Sequence, residues 1–331
     1  RRVIDLAWTP DGRVLVAGKE GDIYVFKDGD IEGDRKVIHN VDPCTQQERA
    51  LLSIAVHPKF GTERSGRFDF VYAFWVHKGR DGNCMIPEDF NDVDKDGPYC
   101  QLSRFQLTES NKFQNEEVLL KLGNAGKMHN GGGMGFGSDG YLYLATGDAG
   151  YPRRFDPANK LDNLLGKILR IKDDGTIPRD NPYIGEKKSQ RCGETIINPG
   201  DGTSRVCTEI FARGLRNPFS LEMNPNAEGG NVVFHVSDVG REHWEEINVG
   251  GTGYEKADYG WREREGPCEM GETKSDKCGK IDTSKFVDPI HFYQHGNKGA
   301  ACVGGAFVPN GIWPNKYDNE YLYSDLRAQS V

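Results

Sequence analysis

Leu6-Ala7-Trp8-Thr9-Pro10-Asp11-Gly12-Arg13-Val14-Leu15-Val16-Ala17-Gly18 alternates apolar side chains with others, breaks at Pro-Asp-Gly and alternates again. The same pattern returns in Met134-Gly135-Phe136-Gly137-Ser138-Asp139-Gly140-Tyr141-Leu142-Tyr143-Leu144-Ala145-Thr146-Gly147. Successive side chains of a strand point to opposite faces, so period-two alternation on both sides of an Asp-Gly turn predicts a β-hairpin. Looser copies begin at Ile54, Leu221 and Ala306 and resume at Phe70, Val232 and Tyr321, making five. A hairpin repeated along a chain reads as the inner part of a four-stranded blade, and radial repetition limits the exposed sheet edges. The fold class is therefore all-β: a β-propeller of four-stranded antiparallel sheets, a single domain over residues 1–331. The copies account for about five blades, with only the start of a sixth, and truncation is the simpler explanation of that incomplete last blade.

Composition agrees. With 42 glycines and 16 prolines among 331 residues, tight turns are frequent, as short strands require. A formal net charge of -8 argues against nucleic acid or an anionic membrane surface as the main partner and leaves small neutral ligands open. The longest apolar run, from Phe70 to Val76, is far short of the ~20 residues a spanning helix needs, so no membrane span is expected. The chain opens at Arg1-Arg2-Val3 directly into a strand pattern, as a mature or trimmed product would. Helical periodicity is best over residues 156–165, a short stretch that suits a connection between blades.

Eight cysteines without a C-x-x-C pair exclude zinc-ribbon and thioredoxin sites and point to disulfides, hence to a secreted or extracellular protein. Short spacings favour local bridges, Cys84–Cys100, Cys192–Cys207 and Cys268–Cys278, which leaves Cys44 with Cys302 by elimination.

Three clusters could carry chemistry. The first, His129-Asn130-Gly131-Gly132-Gly133 with Gly147-Asp148-Ala149-Gly150, flanks the best hairpin, and a hairpin starts and ends on one side of its sheet. His129 and Asp148 can thus meet at one rim, where a carboxylate fixes the tautomer of a general base; the alternative is a structural pair closing the hairpin. The second, Gly214-Leu215-Arg216-Asn217-Pro218, offers a guanidinium for a carboxylate or oxyanion, or merely a turn salt bridge. The third, Asp238-Val239-Gly240-Arg241-Glu242-His243-Trp244-Glu245-Glu246-Ile247-Asn248, offers carboxylates and free carbonyls suited to calcium, or is only a solvated acidic loop. Asp92-Val93-Asp94-Lys95-Asp96-Gly97 begins like a calcium loop but has no closing glutamate and reads as a solvated turn. Trp8, Trp75, Trp244, Trp261 and Trp313 read as packing between blades.

These clusters, in this order, resemble the glucose/sorbosone dehydrogenase family of quinone-dependent six-bladed β-propellers and the related hedgehog-interacting-protein-like proteins. Glu48-Arg49-Ala50-Leu51-Leu52-Ser53-Ile54-Ala55-Val56-His57-Pro58, Leu165-Gly166-Lys167-Ile168-Leu169-Arg170, Asp258-Tyr259-Gly260-Trp261 and Val303-Gly304-Gly305 extend the likeness over nearly the whole chain. It implies oxidation of aldose-type sugars at the anomeric carbon, with pyrroloquinoline quinone and calcium as cofactors and an external electron acceptor. By the same resemblance His129 is the base, Asp148 orients it, and Arg216 and Asn217 hold the cofactor and its oxyanion. The carbonyls of Gly240 and Arg241 bind the catalytic calcium, and Glu246 and Tyr259 belong to a second, structural ion. Glu48 departs from the glutamine that the soluble glucose dehydrogenases place near the cofactor. The final blade, which supplies basic groups to the pocket, is largely absent after Ser324-Asp325-Leu326. Both departures suit the alternative, a non-catalytic extracellular propeller that binds a protein or a glycan.

Overall fold

The computed structural model describes residues 2–27, 36–62, 68–85, 97–274, 278, 284–296 and 300–327. The first four-stranded sheet consists, in order, of β1 (Val3–Trp8), β2 (Arg13–Gly18), β3 (Asp22–Lys27) and β4 (Lys36–Asn40). The second consists of β5 (Leu51–Val56), β6 (Phe70–His77), β7 (Tyr99–Leu107) and β8 (Phe113–Asn124). In the third, β9 (Gly131–Phe136), β10 (Leu142–Thr146) and β11 (Lys167–Ile171) precede a small parallel pair, β12 (Ser189–Gln190) and β13 (Val206–Cys207), and the outer strand β14 (Ile210–Arg213). The fourth holds β15 (Pro218–Met223), β16 (Val233–Asp238) and β17 (Trp244–Gly251). A small pair, β18 (Arg264–Glu265) and β19 (Cys268–Glu269), interrupts it before its outer strand β20 (His291–Gln294). A two-stranded sheet of β21 (Cys302–Phe307) and β22 (Tyr321–Asp325) follows.

All five repeat copies are antiparallel hairpins. In the two best copies the turn is the same: Gly12 N–H donates to the Thr9 carbonyl at 3.0 Å and Gly140 N–H to the Gly137 carbonyl at 2.9 Å. Both glycines sit at positive φ, 83° and 79°, a region that a side chain would strain.

The first strands of successive sheets lie side by side. They line a central cavity of about 230 Å³ to which β1, β5, β9, β15 and β21 all contribute. The core sits between sheets rather than within one. Along β6, Val71, Ala73 and Trp75 pack toward the first sheet, while Tyr72, Phe74 and Val76 pack toward the third. Along β10, Leu142 and Leu144 face the second sheet and Tyr143 and Ala145 the fourth. Strands covered on both faces have no solvent side, and every residue of β10 and β11 is buried, Lys167 and Arg170 included.

Several expectations need correction. Among the described residues there are four four-stranded sheets, two small strand pairs and the β21–β22 hairpin, so four blades are seen and not six. Long excursions account for the difference: the third sheet alone runs from Gly131 to Arg213, so fewer blades fit into the chain. Residues 156–165 form turns and bends, not a helix. The buried Lys167 ammonium draws the carbonyls of Pro157, Ala158 and Leu165 to itself at 2.6, 3.2 and 2.6 Å, so they are not offered to a helical ladder.

Cys192–Cys207 and Cys268–Cys278 are bridged as expected, but the third disulfide is Cys44–Cys84. Cys44 N–H bonds to the Val76 carbonyl at 2.9 Å, which brings it beside the end of β6 from which Cys84 follows. Cys100 instead points into the core between sheets, and Cys302 is buried at the start of β21, in a different blade from Cys44; both are free. Trp8 and Trp313 are exposed, not packed between blades. Asp92, Asp94 and Asp96 lie outside the described residues.

Candidate active site

One end of the cavity collects the residues that precede the inner strands. Glu48 stands before β5, His129 before β9, and Arg216 and Asn217 before β15. The β16–β17 loop joins them because Asp238 pairs with Pro218 in register.

His129 Nδ1 lies 2.9 Å from Asp148 Oδ1, so the two ends of the β9–β10 hairpin do meet. Asp148 is fully buried and four donors surround it. Oδ1 also accepts from Gly150 N–H at 2.7 Å, and Oδ2 accepts from Trp261 Nε1 and Arg262 Nη2, both at 2.8 Å. Burial alone would raise its pKa, but the His129 hydrogen bond, with the Arg262 charge and hydrogen bond, outweighs burial and holds the carboxyl at about 2. The carboxylate is thus fixed as an acceptor.

On the other side of the ring, Arg216 Nη2 lies 2.8 Å from His129 Nε2. A guanidinium has no lone pair to offer, so Nε2 must accept and Nδ1 must carry the proton. The imidazole is therefore held as the neutral tautomer with its lone pair at Nε2, on the side away from Asp148. Arg216 is itself clamped: Nη1 donates to the Val239 carbonyl at 2.8 Å and its backbone N–H to Asp238 Oδ2 at 2.9 Å. Its guanidinium lies 5.6 Å from the Trp261 ring.

Glu48 Oε2 accepts from His129 N–H at 2.6 Å and from Asn217 Nδ2 at 3.2 Å, and Asn217 Oδ1 accepts from Gly131 N–H at 3.1 Å. Glu48, His129, Arg216 and Asn217 therefore form one connected group across three sheets.

The expected metal residues divide. Gly240 and Arg241 lie on the loop between β16 and β17, beside Arg216 and Asp238. Glu246 is buried on β17, accepting from Asn248 Nδ2 at 3.0 Å, and Tyr259 donates its hydroxyl to the Val249 carbonyl at 2.9 Å. Burial raises both the Asp238 and Glu246 carboxyls. A cavity of about 10 Å³ among Asp238, Gly240, Glu246 and Glu265 has room for about one water. No cluster of three or more His, Cys, Asp or Glu side chains suited to a metal occurs among the described residues. A site here would rest largely on backbone carbonyls.

Trp261 was expected only as packing, and Arg262 and Glu265 were not anticipated. Each acts across more than twenty positions of sequence, and no local pattern marks such a contact.

A profile of the Glucose / Sorbosone dehydrogenase family matches residues 2–331. The chain belongs to this family. It is 30% identical over 313 residues to the HIPL2 protein of Arabidopsis thaliana, covering 85% of this chain and 43% of that protein. It is 26% identical over 258 residues to the aldose sugar dehydrogenase YliI of Escherichia coli (strain K12), covering 77% of this chain and 57% of that protein. The chain thus spans about half the length of these two relatives. The PQQ-bound form of an aldose sugar dehydrogenase from Streptomyces coelicolor superposes with a TM-score of 0.63 at 22% identity, covering 93% of this chain and 72% of that one. That likeness shows the β-propeller fold. No helix among the described residues is long and apolar enough to cross a membrane.

Proposed function

We propose that this protein oxidises aldose-type sugars at the anomeric carbon, with pyrroloquinoline quinone and calcium, in an oxidising extracellular compartment. The observation that carries the reading is the imidazole of His129, held as a neutral base between a buried carboxylate and a guanidinium. The residues suit the absent groups. Gly240 and Arg241 carbonyls, to which no hydrogen bond is made among the described residues, offer hard oxygen ligands to calcium, and Arg216 and Asn217 offer donors to an anionic quinone. When bound, the quinone supplies a two-electron acceptor and the ion a Lewis acid.

The chain supplies the proton chemistry. Once Arg216 Nη2 swings away and frees its lone pair, His129 Nε2 accepts the proton of the sugar's C1 hydroxyl, and the imidazolium that results is stabilised by Asp148, already ionised and fully hydrogen-bonded. Arg216 stays charged throughout and favours negative charge developing beside the ring. Glu246 and Tyr259 are read as belonging to a separate structural ion. We also retain a six-bladed ring for the whole protein. Val3, Leu6 and Trp8 on β1, and Leu322 and Tyr323 on β22, leave apolar side chains exposed at the two ends of the row of sheets, as blade faces without a neighbour would.

A second reading, a propeller that binds a protein or glycan without catalysis, draws on Glu48, whose carboxylate is an unfavourable neighbour for an anionic cofactor. One experiment separates the two. Quinone and calcium added to the protein should give a shifted absorption band that an aldose bleaches, and H129N should keep the band while slowing bleaching by about 100-fold or more. Absence of the band in the wild type would favour the binding protein.

A further inference from the structure

We propose that Glu265 is the positioning residue of the calcium loop: its carboxylate turns the carbonyls of Gly240 and Arg241 outward. This rests on the calcium reading given above, but the observation is independent of it. Four consecutive backbone N–H groups, of Arg241, Glu242, His243 and Trp244, converge on Glu265 Oε1 at 2.6, 2.7, 2.9 and 3.2 Å. The preceding N–H, of Gly240, is taken by Glu245 Oε1 at 3.2 Å. Two buried carboxylates therefore account for every amide from 240 to 244.

The consequence follows from peptide geometry. In a trans peptide the C=O of one residue points opposite to the N–H of the next, and among the described residues the cis bond lies elsewhere, at Trp261-Arg262. With the N–H groups of Arg241 and Glu242 aimed at Glu265, the carbonyls of Gly240 and Arg241 must face away from it. Of the other carbonyls in the loop, that of Val239 accepts from Arg216 Nη1 and that of His243 from His295 N–H, both at 2.8 Å, while no hydrogen bond is made to that of Glu242 among the described residues. Gly240 is required at the bend, since a Cβ there would lie 1.7 Å from the Trp244 carbonyl oxygen.

Glu265 gains its leverage from its own anchorage. It sits on β18, in the excursion between β17 and β20, and is buried. Glu245 links the same loop to the last hairpin, accepting from His295 Nε2 at 2.7 Å and from Cys302 N–H at 2.9 Å.

Two substitutions divide reach from charge. E265Q keeps the accepting oxygen in place and removes the charge; E265D keeps the charge and withdraws the oxygen by one methylene. Chelator-stripped protein is titrated calorimetrically with calcium, with and without pyrroloquinoline quinone, and amide exchange is followed at residues 241–244. A positioning role predicts that E265D loses protection at these amides and binds calcium at least about ten-fold more weakly, as removing an outer-shell support does. E265Q should keep the protection and bind within about threefold of wild type, since a neutral acceptor makes a somewhat weaker bond. E265D with wild-type calcium affinity, or E265Q losing as much as E265D, would overturn it. Wild-type protein that binds no calcium under either condition would defeat the calcium reading itself, and the role with it, whatever the exchange data show.

Discussion

Asp148 does two things at once, because the four donors that fix its carboxylate against His129 also keep it ionised. Its carboxyl is held at about 2 in the folded protein, below the ordinary 3.8. The native state therefore binds this proton less readily than the unfolded chain. Stability from this group is complete above pH 3.8 and is lost as pH falls through about 2. A depression of this size is worth about 2 kcal/mol. Denaturant midpoints measured from pH 6 down to pH 2 should fall for the wild type, and D148N should lack that part of the slope. The same substitution should slow sugar oxidation by about 100-fold or more. An amide nitrogen facing Nδ1 would push the ring toward the other tautomer, with its proton against Arg216. Unchanged turnover in D148N would show that the pair closes the hairpin and nothing more.

Among the elements, the connection between β10 and β11 shows how a polar group replaces secondary structure. Lys167 Nζ, fully buried, satisfies three carbonyls of residues 157–165 and so gives this stretch a fixed shape without a helix. Removing the ammonium takes the donor from the Leu165 carbonyl, while Pro157 keeps Asn163 Nδ2 and Ala158 keeps the Gly214 N–H, and one buried acceptor left unpaired costs roughly 1–3 kcal/mol. K167M should lower the thermal midpoint clearly. A variant as stable as wild type would mean that the Leu165 carbonyl finds another donor or water. The apolar periodicity at 156–165 is real, but it arises from side chains packing between sheets, and periodicity alone cannot tell that from a helix. The hairpins were legible because their information is local: alternation and turn residues lie within about a dozen positions of one another.

Across the propeller, two acids from distant strands meet at the central cavity, Asp5 on β1 and Glu222 on β15. Asp5 accepts from Ser53 Oγ at 3.0 Å and Ile54 N–H at 2.9 Å. Burial, reinforced by the charge of Asp5, pushes Glu222 up to about 8 from 4.5. The folded state holds this proton more tightly than the unfolded chain, so the associated stability is complete below pH 4.5 and is lost as pH rises through about 8. Thermal midpoints of E222Q should depend less on pH across that window than those of wild type. Equal slopes would mean that the cavity admits enough water to leave Glu222 unperturbed.

The chain alone specifies the hairpins, the all-β class and the hairpin ends on which His129 and Asp148 sit, because each depends on residues close together in sequence. Folding decided what depends on assembly of the sheets: that Cys44 reaches Cys84 and not Cys302, that Trp261 and Arg262 complete the shell of Asp148, and that Glu265 gathers the amides of residues 241–244. The number of blades belongs with these, since long excursions within a sheet cannot be told from new blades until the strands are paired. Those contacts join positions tens of residues apart, and their partners are chosen by the geometry of neighbouring sheets, which leaves no periodicity or spacing in the sequence to read.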